Sequence, residues 1–180
     1  MEKTSLIRKL IREAINSLDK FHISTEEVRA ILIGYLAAAL WTEEENLNQS
    51  YKENNSREDK YDDEDDYEDD IERAIKSKTS KKEFTGFGTN NIAPDSKIQA
   101  YVDIKKFILN AGVSAVSEAL DDNGSSRFGM DIWLTRNGHG SGFFDHGYEF
   151  EQDLNNAAKS IGEVYLYLGD DGHLHFSNEG

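Results

Sequence analysis

Four of the five histidines lie in the last third of the chain: His139, His146, His173 and His175, with Asp145 between the first two. Neutral imidazole and carboxylate are ligands for zinc and other divalent ions. His139, Asp145, His146 and His175 therefore form a candidate metal set if the fold brings them to one end of a sheet. Their spacing argues against it. His173 and His175 share one strand face, His139 belongs to a turn, and no dense motif such as H-E-x-x-H occurs. No cofactor is expected.

The glycines of Gly138-His-Gly-Ser-Gly142 can present backbone N–H groups to a phosphate. A strand is expected to follow them, no Lys-Ser/Thr pair is present, and Ser141 does not sit in a G-x-S-x-G elbow. Neither a P-loop nor a hydrolase nucleophile is indicated. A hairpin turn that needs positive φ explains the glycines directly.

Aromatic side chains offer a third chemistry. Trp133, Tyr165 and Tyr167, with Arg136 and His175 beside them, can form a platform on which single-stranded bases stack. Asp131 falls on the same face and no basic field surrounds it, so direct nucleic-acid binding is not expected. The favoured reading packs these aromatics beneath the N-terminal helices. A specific binding site is sought first in the loop from Arg136 to His146. Its candidate residues are Trp133, Arg136, Asn137, His139, Asp145, Tyr165 and Tyr167.

The fourth chemistry is electrostatic. The formal net charge is −15, and residues 43–72 hold 15 acidic against three basic residues, about −12 of that total. The densest part is Asp62, Asp63, Glu64, Asp65, Asp66, Glu68, Asp69 and Asp70, followed by a basic stretch with Arg73, Lys76, Lys78, Lys81 and Lys82. Carboxylates at phosphate-like spacing can occupy the basic groove of a DNA-binding protein through fast, salt-sensitive attraction. Such a run is more commonly a solvated tether.

The elements that must position these residues follow from periodicity. Leu6, Ile7, Leu10, Ile11, Ala14, Ile15 and Leu18 line one face of an N-terminal helix whose other face carries Lys3, Arg8, Lys9 and Arg12. It is read as a core helix with a solvated rim. Ser24-Thr-Glu-Glu27 opens a second helix with a capping-box pattern, and Val28 to Trp41 supplies its apolar stripe. Residues 45–90 form an acidic-then-basic insertion, largely disordered with some helix, because so little apolar area cannot offset chain entropy.

A helix is expected from Asp95 to Asn110, broken at Ala111-Gly112, with a short one from Val113 to Leu120 and a loop over 121–126. Met130, Ile132 and Leu134 alternate with Asp131, Trp133 and Thr135, which predicts a strand, and Asn137-Gly138 predicts its hairpin turn into Phe143-Phe-Asp145. Phe150 to Ile161 is helical, with Gly162 placed to end it. Glu163–Leu168, the turn Gly169–Gly172 and His173–Phe176 make a second hairpin.

The resulting fold class is α+β: N-terminal helices plus a C-terminal hairpin–helix–hairpin forming a four-stranded, mainly antiparallel sheet. Residues 1–44 and 91–180 build one domain around the 45–90 insertion. With 37% hydrophobic and 31% charged residues the composition suits an ordered domain carrying a solvated segment. The lack of cysteine excludes disulfides, thiolate metal sites and a cysteine nucleophile. The longest apolar run, Ile31 to Trp41, is too short to cross a bilayer, so no membrane is expected and a cytoplasmic location is.

Two stretches resemble signatures of a family of small uncharacterised proteins of tailed bacteriophages and prophages. They are Asp131-Ile-Trp-Leu-Thr-Arg-Asn-Gly-His-Gly-Ser-Gly-Phe-Phe-Asp145 and Gly162-Glu-Val-Tyr-Leu-Tyr-Leu-Gly-Asp-Asp-Gly172. Gly34-Tyr-Leu-Ala-Ala-Ala-Leu-Trp41, followed by Ala93-Pro94, is similar to a third. The chain departs from that pattern at Ile132 and Phe144, where larger aromatics are expected, and in a longer acidic connector. The resemblance implies a phage setting in the bacterial host cytoplasm and carries no catalytic residue.

The expected function is therefore a non-enzymatic phage accessory protein that binds a host or phage protein. A nucleic-acid-binding protein is one such partner, with acidic, DNA-mimicking electrostatics as the route. The alternative is a small metal-assisted or nucleic-acid-processing factor built on the hairpin histidines and Asp145.

Overall fold

A computed structural model describes residues 18–58 and 86–177. The expected N-terminal helix, apart from Leu18, and the run Asp62–Asp70 lie outside the described residues.

Helix α1 (Thr25–Thr42) starts where the sequence predicts. The Ser24 hydroxyl accepts the Glu27 N–H at 3.2 Å while the Glu27 carboxylate accepts the Ser24 N–H at 2.7 Å, the reciprocal capping box. Helix α2 (Glu44–Glu58) follows at once and anchors through Leu47, which is buried in the core. Helix α3 (Pro94–Ala111) has Ala93 as its cap and Pro94 in its first turn, one residue before the expected start at Asp95. Pro94 lacks the N–H that this position would leave unbonded. Ser96 accepts the Phe176 N–H at 3.1 Å.

Gly112, at φ +85°, separates α3 from α4 (Val113–Arg136). A short helix ending at Leu120 with a loop over 121–126 is thus corrected: the helical run continues to Arg136, broken only at Gly124, where φ is +73°. Helix α5 (Glu151–Ser160) ends before Gly162 at φ +79°. The Glu118 carboxylate from α4 holds the N–H groups of Glu149 and Phe150 at its start, at 2.7 and 3.1 Å.

The four-stranded sheet is not formed. The described sheet is one antiparallel pair, β1 (Tyr165–Leu168) with β2 (Leu174–Ser177), Leu166 opposite Phe176 and Tyr167 opposite His175. Mostly helical architecture replaces the expected α+β module. The predicted strand Met130–Thr135 is the end of α4, and the predicted return strand Phe143–Asp145 is a 3-10 turn.

Two physical causes account for this. Residues Asp131 to Arg136 are buried without interruption, and a helix buried on all sides has no polar face to show its period. Asn137-Gly138 closes a helix instead of a hairpin: the Gly138 N–H donates to the Thr135 carbonyl at 3.3 Å and the His139 N–H to the Leu134 carbonyl at 3.0 Å. That pair of bonds around a glycine at φ +67° is a Schellman cap. Asn-Gly serves either geometry equally well.

The core lies between α1, α3 and α4. Helices α1 and α4 make the most extensive contact, and their backbones touch. A Cβ on Gly34 would stand 1.9 Å from the Ser126 carbonyl oxygen, and one on Gly129 at 1.9 Å from that of Ile31. Phe107, Phe128 and Phe143 form an aromatic cluster with centroids 5.4 to 5.7 Å apart. Each fully buried ring of this kind contributes about 1.5–3 kcal/mol. Ala93 N–H bonds the Leu174 carbonyl at 2.9 Å, which ties the hairpin to the start of α3.

Candidate functional site

The first signature segment turns out to be the joint where α4 meets everything around it. Arg136 is 4% exposed. Its Nε donates to the Gly162 carbonyl at 2.7 Å and its Nη2 to the Ile161 carbonyl at 3.2 Å. Its Nη1 donates to Asp103 Oδ2 at 2.7 Å and to the Tyr35 hydroxyl. One guanidinium thus joins α1, α3 and the end of α5. A buried charge needs this many partners to offset its lost hydration. Asp103 also accepts from Gln99 Nε2 at 2.7 Å. Burial pushes the Tyr35 phenol well above the ordinary tyrosine range.

Neighbouring residues act in the same way. Trp133 is fully buried and donates from Nε1 to Thr42 Oγ1 at 2.9 Å, edge-on to Tyr35 with centroids 5.2 Å apart. Thr135 Oγ1 accepts the Phe143 N–H at 3.1 Å. A Cβ on Gly142 would lie 2.3 Å from that hydroxyl, so only glycine fits there. Asn137 Oδ1 accepts the Val164 N–H at 3.0 Å. Asp145 is exposed and accepts the Gly142 N–H at 3.1 Å.

Asp131 is fully buried between Arg127 Nε at 3.1 Å and His146 Nε2 at 3.0 Å. Desolvation raises its carboxyl above the ordinary aspartate value, with Arg127 and His146 opposing. The pair is a carboxylate orienting an imidazole that is still 18% exposed.

The expected groupings are only partly realised. Trp133 and Arg136 are interior while Tyr165 and Tyr167 face solvent, so no platform joins the four. The reading that covers all these aromatics with helices holds for Trp133 alone. Tyr167 instead lies beside His175, centroids 5.8 Å apart, over a shallow cleft of about 230 Å³ that also includes Asp95, Ser96 and Gln99. His139 is half-buried beyond the α4 cap. His146 is engaged with Asp131 and His175 with Asp171 Oδ1 at 2.9 Å. Among the described residues no three His, Asp or Glu side chains gather as a metal site. His139, Asp145, His146 and His175 are thus not brought together.

Sequence reasoning missed Asp103, Tyr35, Asp131 and Thr135 as partners. A signal existed for one of them: Asp103 interrupts the apolar stripe Ala100, Ile104, Phe107, and a charge inside such a stripe needs an opposite charge facing it.

The outer side of the molecule differs. Ile33 and Trp41 are 53% and 64% exposed on α1. Beside Trp41 runs a groove of about 420 Å³ between α1, the start of α2 and Gly86–Thr89, lined in part by Ala37, Leu40, Glu44 and Leu47. No described helix is long and apolar enough to cross a membrane. In comparison with known proteins, no family model, no curated protein and no solved structure matches the chain.

Proposed function

We propose that the chain is a phage or prophage accessory protein that acts in the bacterial host cytoplasm by binding a host or phage protein, not by catalysis. The acidic stretch supplies the attraction. The observation that carries this reading is that the stretch begins on a fixed support. Helix α2 exposes Glu44 and Glu45 and is anchored by Leu47, which is 2% exposed. Carboxylates on an anchored helix keep a definite spacing towards a partner. The net charge of about −12 over residues 43–72 favours a basic partner, such as a protein whose nucleic-acid groove this segment would fill. The engagement of Asp131, Thr135, Arg136 and Asn137 in internal bonds fits a structural role for the first signature.

The test is affinity capture from bacterial lysate at about 0.1 M and about 1 M salt, where the screening length falls from about 10 Å to about 3 Å. Leu47 belongs to the core, so the matched deletion removes residues 59–85 and spares α2. The expected partner is retained at low salt, released at high salt and lost with the deletion. A partner held equally by the deleted chain at both salts would refute the electrostatic reading.

A further inference from the structure

We propose that the cleft between the start of α3 and the terminal hairpin is a guanidinium site, which takes an arginine side chain of a protein partner against the Tyr167 ring. The cleft holds about 230 Å³ and is lined by Asp95, Ser96, Gln99, Tyr167, His175 and Phe176. That is less than the roughly 300–1,000 Å³ of sites for whole small molecules, and it suits a single side chain. Tyr167 is 47% exposed and lies opposite His175, ring centroids 5.8 Å apart. Tyr165, two residues along the same strand face, is 43% exposed and extends the surface for residues flanking the arginine.

The bonds already made within the lining select the ligand. Gln99 spends Nε2 on Asp103 at 2.7 Å, which leaves its Oε1 to accept. Asp95 is exposed, and its carboxylate only accepts. His175 places Nε2 2.9 Å from Asp171 Oδ1. Hydrogen bonds from His175 and the His173 N–H hold the Asp171 carboxyl below the ordinary aspartate value, so it is ionised at neutral pH and takes the Nε2 proton as acceptor. The bare nitrogen of the ring is then Nδ1. A Cβ on Gly169 would stand 2.7 Å from His175 Cδ2 and 3.0 Å from Nε2, so that edge rests on Gly169 and Nδ1 points away from it.

The cleft thus offers a carboxylate, a carboxamide oxygen and an imidazole nitrogen beside one aromatic face. Guanidinium carries donors only, is planar and stacks on an aromatic ring, whereas an ammonium has no plane to stack. No Lys or Arg lines the cleft, and the full charge of Asp95 outweighs the partial charge of about +0.5 at a helix start. None of these residues belongs to the acidic stretch, so the inference goes beyond the acidic-partner reading and does not rest on it.

The experiment is an NMR titration of the full chain with acetyl-Gly-Arg-Gly-amide, followed at the Tyr167 and His175 side-chain resonances. Salt at about 0.15 M screens unspecific attraction to a chain of net charge −15. Saturable shifts are expected at both rings. The citrulline peptide, of the same shape but neutral, should bind about fivefold more weakly or worse. Asp95→Asn should weaken the arginine peptide by about tenfold and Tyr167→Ala by about threefold, with circular dichroism confirming that each variant is folded. Equal binding of the citrulline peptide would overturn recognition of the cation. Shifts confined to other parts of the chain, or affinity unchanged in both variants, would overturn the assignment to this cleft. Free L-arginine bound more tightly than the peptide would overturn the protein partner and leave a small-molecule site.

Discussion

At the end of α4, Asp131 sits 3.0 Å from His146; at the turn of the terminal hairpin, Asp171 sits 2.9 Å from His175. The two pairs have the same chemistry and nearly the same distance, but their surroundings differ. Asp131 is wholly buried, and loss of hydration outweighs the pull of Arg127 and His146, so its carboxyl is shifted up. Asp171 is solvated, and the hydrogen bonds from His175 and from the His173 N–H shift it down. Hydration decides the sign, and the histidine only modulates it. The same contrast separates the interior joint around Arg136, where the guanidinium spends its donors on holding helices, from the hairpin surface, where polar groups remain available to solvent.

The largest expected effect tests the interior side. Arg136→Met leaves Asp103 buried without its cation and should lower unfolding stability by about 3–5 kcal/mol, read from urea unfolding. If the loss comes from the stranded charge, adding Asp103→Leu should recover part of it. No recovery would assign the loss to the Tyr35, Ile161 and Gly162 bonds instead. Next comes Thr135→Val, which strips the Phe143 N–H of its acceptor and should cost about 1–3 kcal/mol by the same measurement.

The smaller effects compare the two pairs directly through pH. Asp131 binds its proton more tightly when folded, so its contribution is full below the ordinary aspartate value and is lost as pH rises through the raised one. Asp131→Asn should remove that falling limb from a plot of stability against pH. Asp171 has the opposite sign: its contribution is present above the ordinary value and is lost as pH falls through the lowered one. Asp171→Asn should flatten only that acid limb, with the smaller change of the two. Equal slopes of one sign for both variants would break the comparison.

Local signals were legible wherever one short motif determines one geometry. The Ser24–Glu27 box, the Gly112 break, the 150–161 periodicity and the Gly169–Gly172 turn each correspond to an observed feature. Legibility failed over Met130–Asp145 because two different structures share the same local pattern. Alternation of Met130, Ile132 and Leu134 is compatible with a strand, but Asp131 and Arg136 are buried too, each paired with a residue distant in sequence. Those partners, Asp103 and His146, come from other elements, and no local window contains them. The candidate site went the same way: Trp133, Arg136 and Asn137 read as binding residues in the sequence, and their partners make them joints of the fold.

The close approach of Gly34 to Ser126 and of Gly129 to Ile31 has one more consequence. Helix α1 precedes residues 59–85 and α4 follows them, yet their backbones meet with no side chain between. Nicking the chain within 59–85 would leave two fragments whose shared interface is the molecule's own interior. A peptide link between the fragments raises the local concentration at which they meet. The protein is in that sense a natural split pair, and fragments 1–58 and 86–180 supplied separately should reconstitute it by complementation.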